Sequence, residues 1–269
     1  MKVKLKLLGF GLMIIMISAC GLINEKNKGK GINFFPISTD RNLGLQVSSQ
    51  IDNDPSQYPL LDSVKYSKIY NYLYGIRDQI LNSGQVSLKD DFSWRLRIVK
   101  DDNTLNAFCT PGGYIYFYTG ILKYLDSEDQ LAGVMAHEMA HADMRHSTRQ
   151  LTSMYGLQLI EQVALGNSSM LSQLVISVAG LKFSRKHESQ ADEMSVKYLC
   201  GTQYNAAGGA GFFQKLMHEG QGAKAPEFLS THPSSDKRIE EFINHKITMG
   251  CTGNQDFKAR YKENISTLP

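Results

Sequence analysis

The sequence predicts a mainly helical α+β fold with one small β-sheet. Three observations predict it: apolar residues at helical spacing in several separate stretches, short alternating runs near the middle, and a Pro-Gly-Gly turn between two of those runs. Between Asp62 and Gly84, the residues Ile69, Leu73, Ile76 and Ile80 recur at steps of four, three and four, which is an amphipathic helix closed by a glycine. Trp94, Leu96 and Ile98 alternate with Arg95 and Arg97, as in a half-buried strand. A strand pair follows around Phe108 and from Tyr114 to Tyr118, divided by Thr110-Pro111-Gly112-Gly113. Ser127 with Gln130 three residues later reads as a capping box, and Leu131, Val134, Met135 and Met139 continue the helix it starts. The run Met170 to Phe183 is apolar but contains Gln173 and Ser177 and is too short to span a bilayer, so it reads as a buried or membrane-grazing helix. A helix from Glu188 to Leu199 comes next. The last one follows Pro233, a good first-turn residue, through Ile239, Phe242 and Ile243. No internal repeat interrupts this order, and residues 33–269 read as a single domain.

The N-terminus has a different character. Lys2, Lys4 and Lys6 precede an apolar stretch from Leu7 to Ile17, and Ile17-Ser18-Ala19-Cys20 places small residues directly before a cysteine. Residues 1–19 therefore read as an export signal. The tetrad resembles the bacterial lipobox, which implies that Cys20 is diacylated and becomes the new N-terminus. Residues 20–32, rich in Gly, Lys and Asn, would be a lipidated tether. The expected location is the periplasm, and Gly21 rather than Asp after the cysteine favours the outer over the inner membrane. Of 29 basic and 26 acidic residues, the three in excess are those leading lysines. The remaining chain is neutral and offers nucleic acid no electrostatic footprint. Export also makes disulfides available to Cys109, Cys200 and Cys251. Cys109, in an apolar strand, reads as a small buried hydrophobe, and a Cys200–Cys251 bridge would staple the Gly-rich tail.

His137-Glu138-Met139-Ala140-His141 carries the chemistry. Histidines four apart lie one turn above each other on a helix, so both imidazoles can meet one tetrahedral metal. Glu138, turned about 100° around the helix, reaches a water on that metal without being a ligand, as a general base must. A catalytic zinc usually takes a third protein ligand. A third histidine after the spacing H-x-x-G-x-x is absent, and His146 is expected to point elsewhere on the same helix. Glu188 and Asp192, spaced i and i+4, offer a carboxylate ligand and an acceptor for the other N–H of a ligating histidine. A solvated acidic helix face is the plain alternative. His187 and His218 read as surface residues, while His245 is placed late in a helix, where a cation is favoured.

Taken together, Asn106-Ala107-Phe108, Pro111-Gly112-Gly113, Thr119-Gly120, the His137 motif, Ser184-Arg185 with Glu188, Ala191 and Asp192, and Thr231-His232-Pro233-Ser234 with Arg238 occur in one order. In that order the chain resembles the zinc metallopeptidases that include the CAAX prenyl protease, the mitochondrial Oma-type protease and periplasmic lipoprotein proteases. The resemblance implies a gluzincin-like domain holding one zinc with His137, His141 and Glu188, and Asp192 behind a ligating histidine. It implies that the strand region with Asn106, Ala107, Gly113 and Tyr114 borders the cleft and pairs with substrate backbone. It also implies that His232 faces the zinc. There the histidine would either stabilise the developing oxyanion or block the open coordination position. The expected function is a zinc-dependent endopeptidase acting on unfolded or misassembled envelope polypeptides. The alternative is a zinc-stabilised chaperone or adaptor that binds such chains without cutting them, and Glu138 favours the enzyme. A cell-wall amidase finds no sugar-binding feature in these segments. The sequence shows neither an internal transmembrane span nor a helical-repeat extension of the kind some periplasmic relatives carry, so partners in outer-membrane assembly or quality control find no obvious docking module in it.

Overall fold

The computed structural model describes residues 33, 35–164, 181–219, 227–232 and 237–269. The export signal, Cys20, the tether, most of the Met170–Phe183 run and Pro233 lie outside the described residues. The helices are α1 (Ile37–Asp52), α2 (Ser67–Leu81), α3 (Thr119–Tyr124), α4 (Glu128–Asp143), α5 (His146–Ala164), α6 (Arg185–Cys200), α7 (Gly209–Glu219), α8 (Glu227–Thr231), α9 (Arg238–Thr248) and α10 (Lys258–Ile265). Three strands, β1 (Arg95–Val99), β2 (Ala107–Thr110) and β3 (Tyr114–Tyr118), form a sheet in the order β1-β3-β2. The Pro-Gly-Gly turn folds β2 antiparallel onto β3, Cys109 opposite Ile115, and β1 joins the far side of β3 in parallel. β3 is thus paired along both edges, whereas among the described residues β2 is an edge strand.

The alternation in the strands sorts two apolar clusters. Trp94, Leu96, Ile98, Ala107, Cys109, Ile115 and Phe117 face the main core with α2 and α4. On the opposite face Tyr114 and Tyr116 pack with Phe108, Tyr118 and the α1 residues Leu43, Val47 and Ile51. Cys109 is a buried free thiol, as its apolar strand implied. α1 can lie this close because position 44 is glycine: a Cβ there would stand 1.8 Å from the Pro111 carbonyl oxygen. The sequence pattern did not suggest α1, whose polar residues dilute its period.

Every residue of α4 except Gln130 is buried. Gly133 lets α4 approach the start of α7, where a Cβ would meet the Gly209 nitrogen at 2.3 Å. Ser127 is the N-cap, but the expected reciprocal box does not form: its hydroxyl donates to Asp129, while Gln130 Oε1 accepts from the Asp126 amide. Glu128 and Asp129 carry negative charge in the first turn, where the helix dipole favours it. The buried Glu128 carboxylate accepts from Tyr72 Oη at 3.0 Å, Tyr204 Oη at 2.6 Å and Arg260 Nε at 2.6 Å. At the other end Asp143 accepts from the Ser87 and Leu88 amides and from Tyr198 Oη at 2.6 Å.

The C-terminal part differs from the sequence reading. The helix after Pro233 begins at Arg238 and is followed by one more, α10, whose buried Tyr261 donates to the Leu122 carbonyl. α10 is short and charged, with a single buried residue to mark its period. Cys200 and Cys251 form a disulfide that joins the end of α6 to the segment after α9. Among the described residues no helix is long and apolar enough to cross a membrane.

Candidate metal centre

α4 presents His137 and His141 on one face, one turn apart, and α6 crosses it with Glu188 in its first turns. Ser184 caps α6 by accepting from the His187 amide at 3.2 Å, which starts the helix where Glu188 and Asp192 both face α4. His232 follows α8 and enters from the opposite side. One ligand atom from each of His137, His141, Glu188 and His232 lies within 4.8 Å of the others, and all four residues are buried.

The separations test the fit to a metal. Ligands about 2.0–2.1 Å from a tetrahedral zinc stand roughly 3.3 Å from one another. His137 Nε2 is 3.0 Å from His141 Nε2, 3.5 Å from Glu188 Oε2 and 3.5 Å from His232 Nδ1. Glu188 Oε1 is 3.4 Å from His141 Nε2 and 3.2 Å from His232 Nδ1. The five separations, which draw on both Glu188 oxygens, are close to what one zinc requires, and His232 stands beside the three expected ligands where a water or substrate would bind in an open catalytic site.

The groups behind the ligands fix their orientation. His137 Nδ1 lies 2.9 Å from Asp192 Oδ1, the arrangement expected from the i, i+4 spacing. Arg238 grips Asp192 through two hydrogen bonds of 2.7 and 2.6 Å and comes within 3.2 Å of Glu188 Oε2. Arg238 was noted in the sequence without a role.

His146 does not point away from the site as its spacing implied. Arg145 takes a left-handed conformation with φ of 57°, so α4 ends and α5 starts at a sharp elbow instead of continuing as one helix. The elbow is held by Asp40, which accepts from Arg145 Nε at 2.9 Å and from Thr148 Oγ1 at 2.8 Å. His146 consequently folds back, fully buried, with Nδ1 3.0 Å from His141 Nδ1. His187, expected at the surface, is half-buried with its ring stacked on His146 at 4.5 Å. His218 is exposed and His245 stands in the last turn of α9, as read from the sequence.

Electrostatics follow burial and proximity. Burial opposes ionisation of Glu188, but His137 and His232 outweigh it and hold its carboxyl well below the usual range. Burial would lower His137, yet Asp192 and Glu188 push it up to about 9. Burial and the neighbouring histidines keep His141 well below its ordinary value. Burial raises the Glu138 carboxyl, partly offset by His232, His137 and the nearby Cys109 backbone. Glu138 Oε1 is 3.6 Å from His232 Nε2, too far for a hydrogen bond.

A cleft of about 360 Å³ opens beside these residues, lined on one side by Asn106, Phe108, Cys109 and Thr110 of β2 and its approach. Asn106 and Thr110 use their backbone carbonyls to bind β3, so the backbone groups of Ala107 and Cys109 point to the open edge. Gly113 and Tyr114 do not line the cleft. Gly113 abuts Trp94, and Tyr114 belongs to the central strand with Arg95 over its ring. Sequence alone could not separate the edge strand from the central one, because strand order depends on β1.

Residues 72–245 match the model described as Peptidase family M48. The mitochondrial metalloendopeptidase OMA1 of Schizosaccharomyces pombe is 35% identical over 161 residues, covering 58% of this chain and 48% of that protein. OMA1 of Saccharomyces cerevisiae is 30% identical over 198 residues, 69% of this chain and 56% of its own length. The beta-barrel assembly-enhancing protease of Escherichia coli K12 is 27% identical over 206 residues, 71% of this chain and 41% of that protein. The matches thus span about half the length of these relatives.

Proposed function

The chain belongs to peptidase family M48, and from that premise we propose that it is a zinc metalloendopeptidase that cuts unfolded or misassembled envelope polypeptides. The observation that carries the reading is the buried cluster of His137, His141, Glu188 and His232, within reach of one metal ion, with the Glu138 carboxylate beside it. When bound, zinc supplies a Lewis acid that polarises the peptide carbonyl and acidifies a water. Glu138 is placed to accept a proton from an attacking water and return it to the leaving amine, a role that suits a carboxyl raised by burial. Asp192 and His146 hold the two ligating imidazoles with Nε2 toward the metal.

Substrate adds a strand to the edge of β2 that has no partner strand among the described residues, where the backbone groups of Ala107 and the Cys109 carbonyl face outward while the Cys109 amide faces Glu138. The Asn106 side-chain oxygen, buried and without a hydrogen-bond partner among the described residues, supports this, since a substrate N–H would satisfy it. Backbone pairing reads any extended chain, which fits unfolded proteins as substrates. His232 sits at ligand distance rather than aimed at a carbonyl, so we read it as a blocking ligand that leaves when substrate enters. Attachment to the outer membrane through Cys20 completes the proposal. The Cys200–Cys251 disulfide supports an oxidising compartment.

The test is Glu138→Gln, assayed for zinc content and for hydrolysis of an unfolded casein. Retained zinc with turnover reduced roughly 10²–10⁴-fold is expected. Hydrolysis at the wild-type rate would reject the mechanism. Casein binding by a zinc-loaded wild type that cuts nothing would favour a chaperone.

A further inference from the structure

Part of the apolar wall of the cleft comes from residues outside the stretch that matches the family. That match begins at residue 72, whereas Val47 and Ile51 of α1 and, beyond it, Tyr58 line the cleft. With Phe108, Tyr118 and Leu181 they make its apolar side, and all six belong to the cluster on the outer face of the sheet. Phe108 is stacked on Tyr116 at 4.8 Å and meets Tyr58 edge-on at 6.4 Å, so its ring has a fixed position at the mouth of the wall. The remaining lining at the start of β2, including Asp101, Thr104 and Asn106, is polar.

We propose that this wall is a side-chain subsite that takes a large apolar residue of the substrate at a position flanking the bond that is cut. The inference rests on the peptidase reading and adds its specificity. A strand laid along β2 places alternate side chains on the two faces of the sheet. One set points toward α4 and the metal ligands, and the other lies on the Phe108 face, where α1 and Tyr58 close the space above it. Phe108 is next in sequence to Cys109, whose backbone lies beside Glu138. One residue of extended chain advances only about 3.3 Å. The side chain beside Phe108 therefore belongs to a residue at or next to the reacting carbonyl. An aliphatic or aromatic side chain there would be enclosed by three half-buried rings and three buried aliphatics, while a charged one would lose water with no opposite charge supplied by those six residues.

The subsite makes cleavage selective for segments that a folded envelope protein keeps inside. It thereby converts sequence-tolerant backbone pairing into recognition of exposed core sequence.

The experiment measures binding of short fluorescent peptides to zinc-loaded Glu138→Gln protein, alongside cleavage of the same peptides by the wild type. The peptides differ at one position between Leu, Phe, Ser and Asp. Leu and Phe peptides should bind roughly 10- to 200-fold more tightly than the Ser peptide, the range one apolar pocket discriminates. Cleavage sites should fall beside the apolar residue. Tyr58→Ala and Phe108→Ala should each reduce the ratio of Leu-peptide to Ser-peptide affinity about tenfold. The Tyr58 variant, lying outside the sheet, guards against loss of fold in the other. Equal binding of Leu and Ser peptides overturns the subsite even if both are cut. Preserved apolar preference with no cleavage by wild type supports the subsite and overturns the peptidase reading instead.

Discussion

Replacing His146 by leucine removes the acceptor beside His141 Nδ1 and leaves that N–H buried with nothing to bind. The lost hydrogen bond joins two neutral rings at 3.0 Å, so it contributes about 0.5–1.5 kcal/mol net. Stranding a buried donor costs about 1–3 kcal/mol in addition. His141 can escape part of that cost by rotating, which spoils its aim at the metal. A combined effect near 2 kcal/mol corresponds to a roughly 30-fold weaker zinc affinity, inside the 10–100-fold range typical of such supporting groups. Asparagine places its side-chain oxygen close to where His146 Nδ1 stands, so His146→Asn should stay within about threefold of wild type. Competition with a fluorescent chelator gives the affinities, and the melting temperature of the metal-free proteins reports the fold separately. Wild-type affinity in His146→Leu, or an equal loss in His146→Asn, would refute the reasoning.

His232→Ala should raise basal casein hydrolysis, because its Nδ1 stands beside the three expected ligands where a water or substrate would bind; unchanged or lower turnover would point to an oxyanion role instead. Arg238→Leu leaves the Asp192 carboxylate buried without its two guanidinium bonds, which should cost about 3–5 kcal/mol in denaturant unfolding, and Arg238→Lys should not restore it. Replacing both Cys200 and Cys251 by serine opens a loop of 51 residues and should lower stability by about 4 kcal/mol in the chain-entropy account, measured by urea titration. Cys20→Ser should abolish lipid labelling of the cell-expressed chain, and soluble, unlabelled wild type would remove the proposed anchor.

What the sequence made legible was whatever depends on local spacing. His137 and His141 one turn apart, Glu188 and Asp192 on one face, the Ile69 to Ile80 stripe and the Pro-Gly-Gly turn each follow from a helical or strand period, and each stands where that period puts it. The misreadings came from geometry that no period encodes. His146 follows from a single residue, Arg145, whose left-handed backbone is stabilised by Asp40 more than a hundred positions away in sequence. The edge position of β2 depends on a parallel partner, β1, that pairs across an intervening strand. α1 and α10 are polar enough that their few buried residues leave a weak pattern, so neither was anticipated.

α4 has almost no face toward water, and its two ends are tied by buried carboxylates to groups on other segments. Amide exchange from such a helix cannot proceed by fraying, because freeing either end strands Glu128 or Asp143. Its amides should therefore be among the last in the chain to take up deuterium, exchanging only when the whole fold opens. The two imidazoles then keep their spacing for as long as the protein is native, and slow motions during turnover fall to the elements around them.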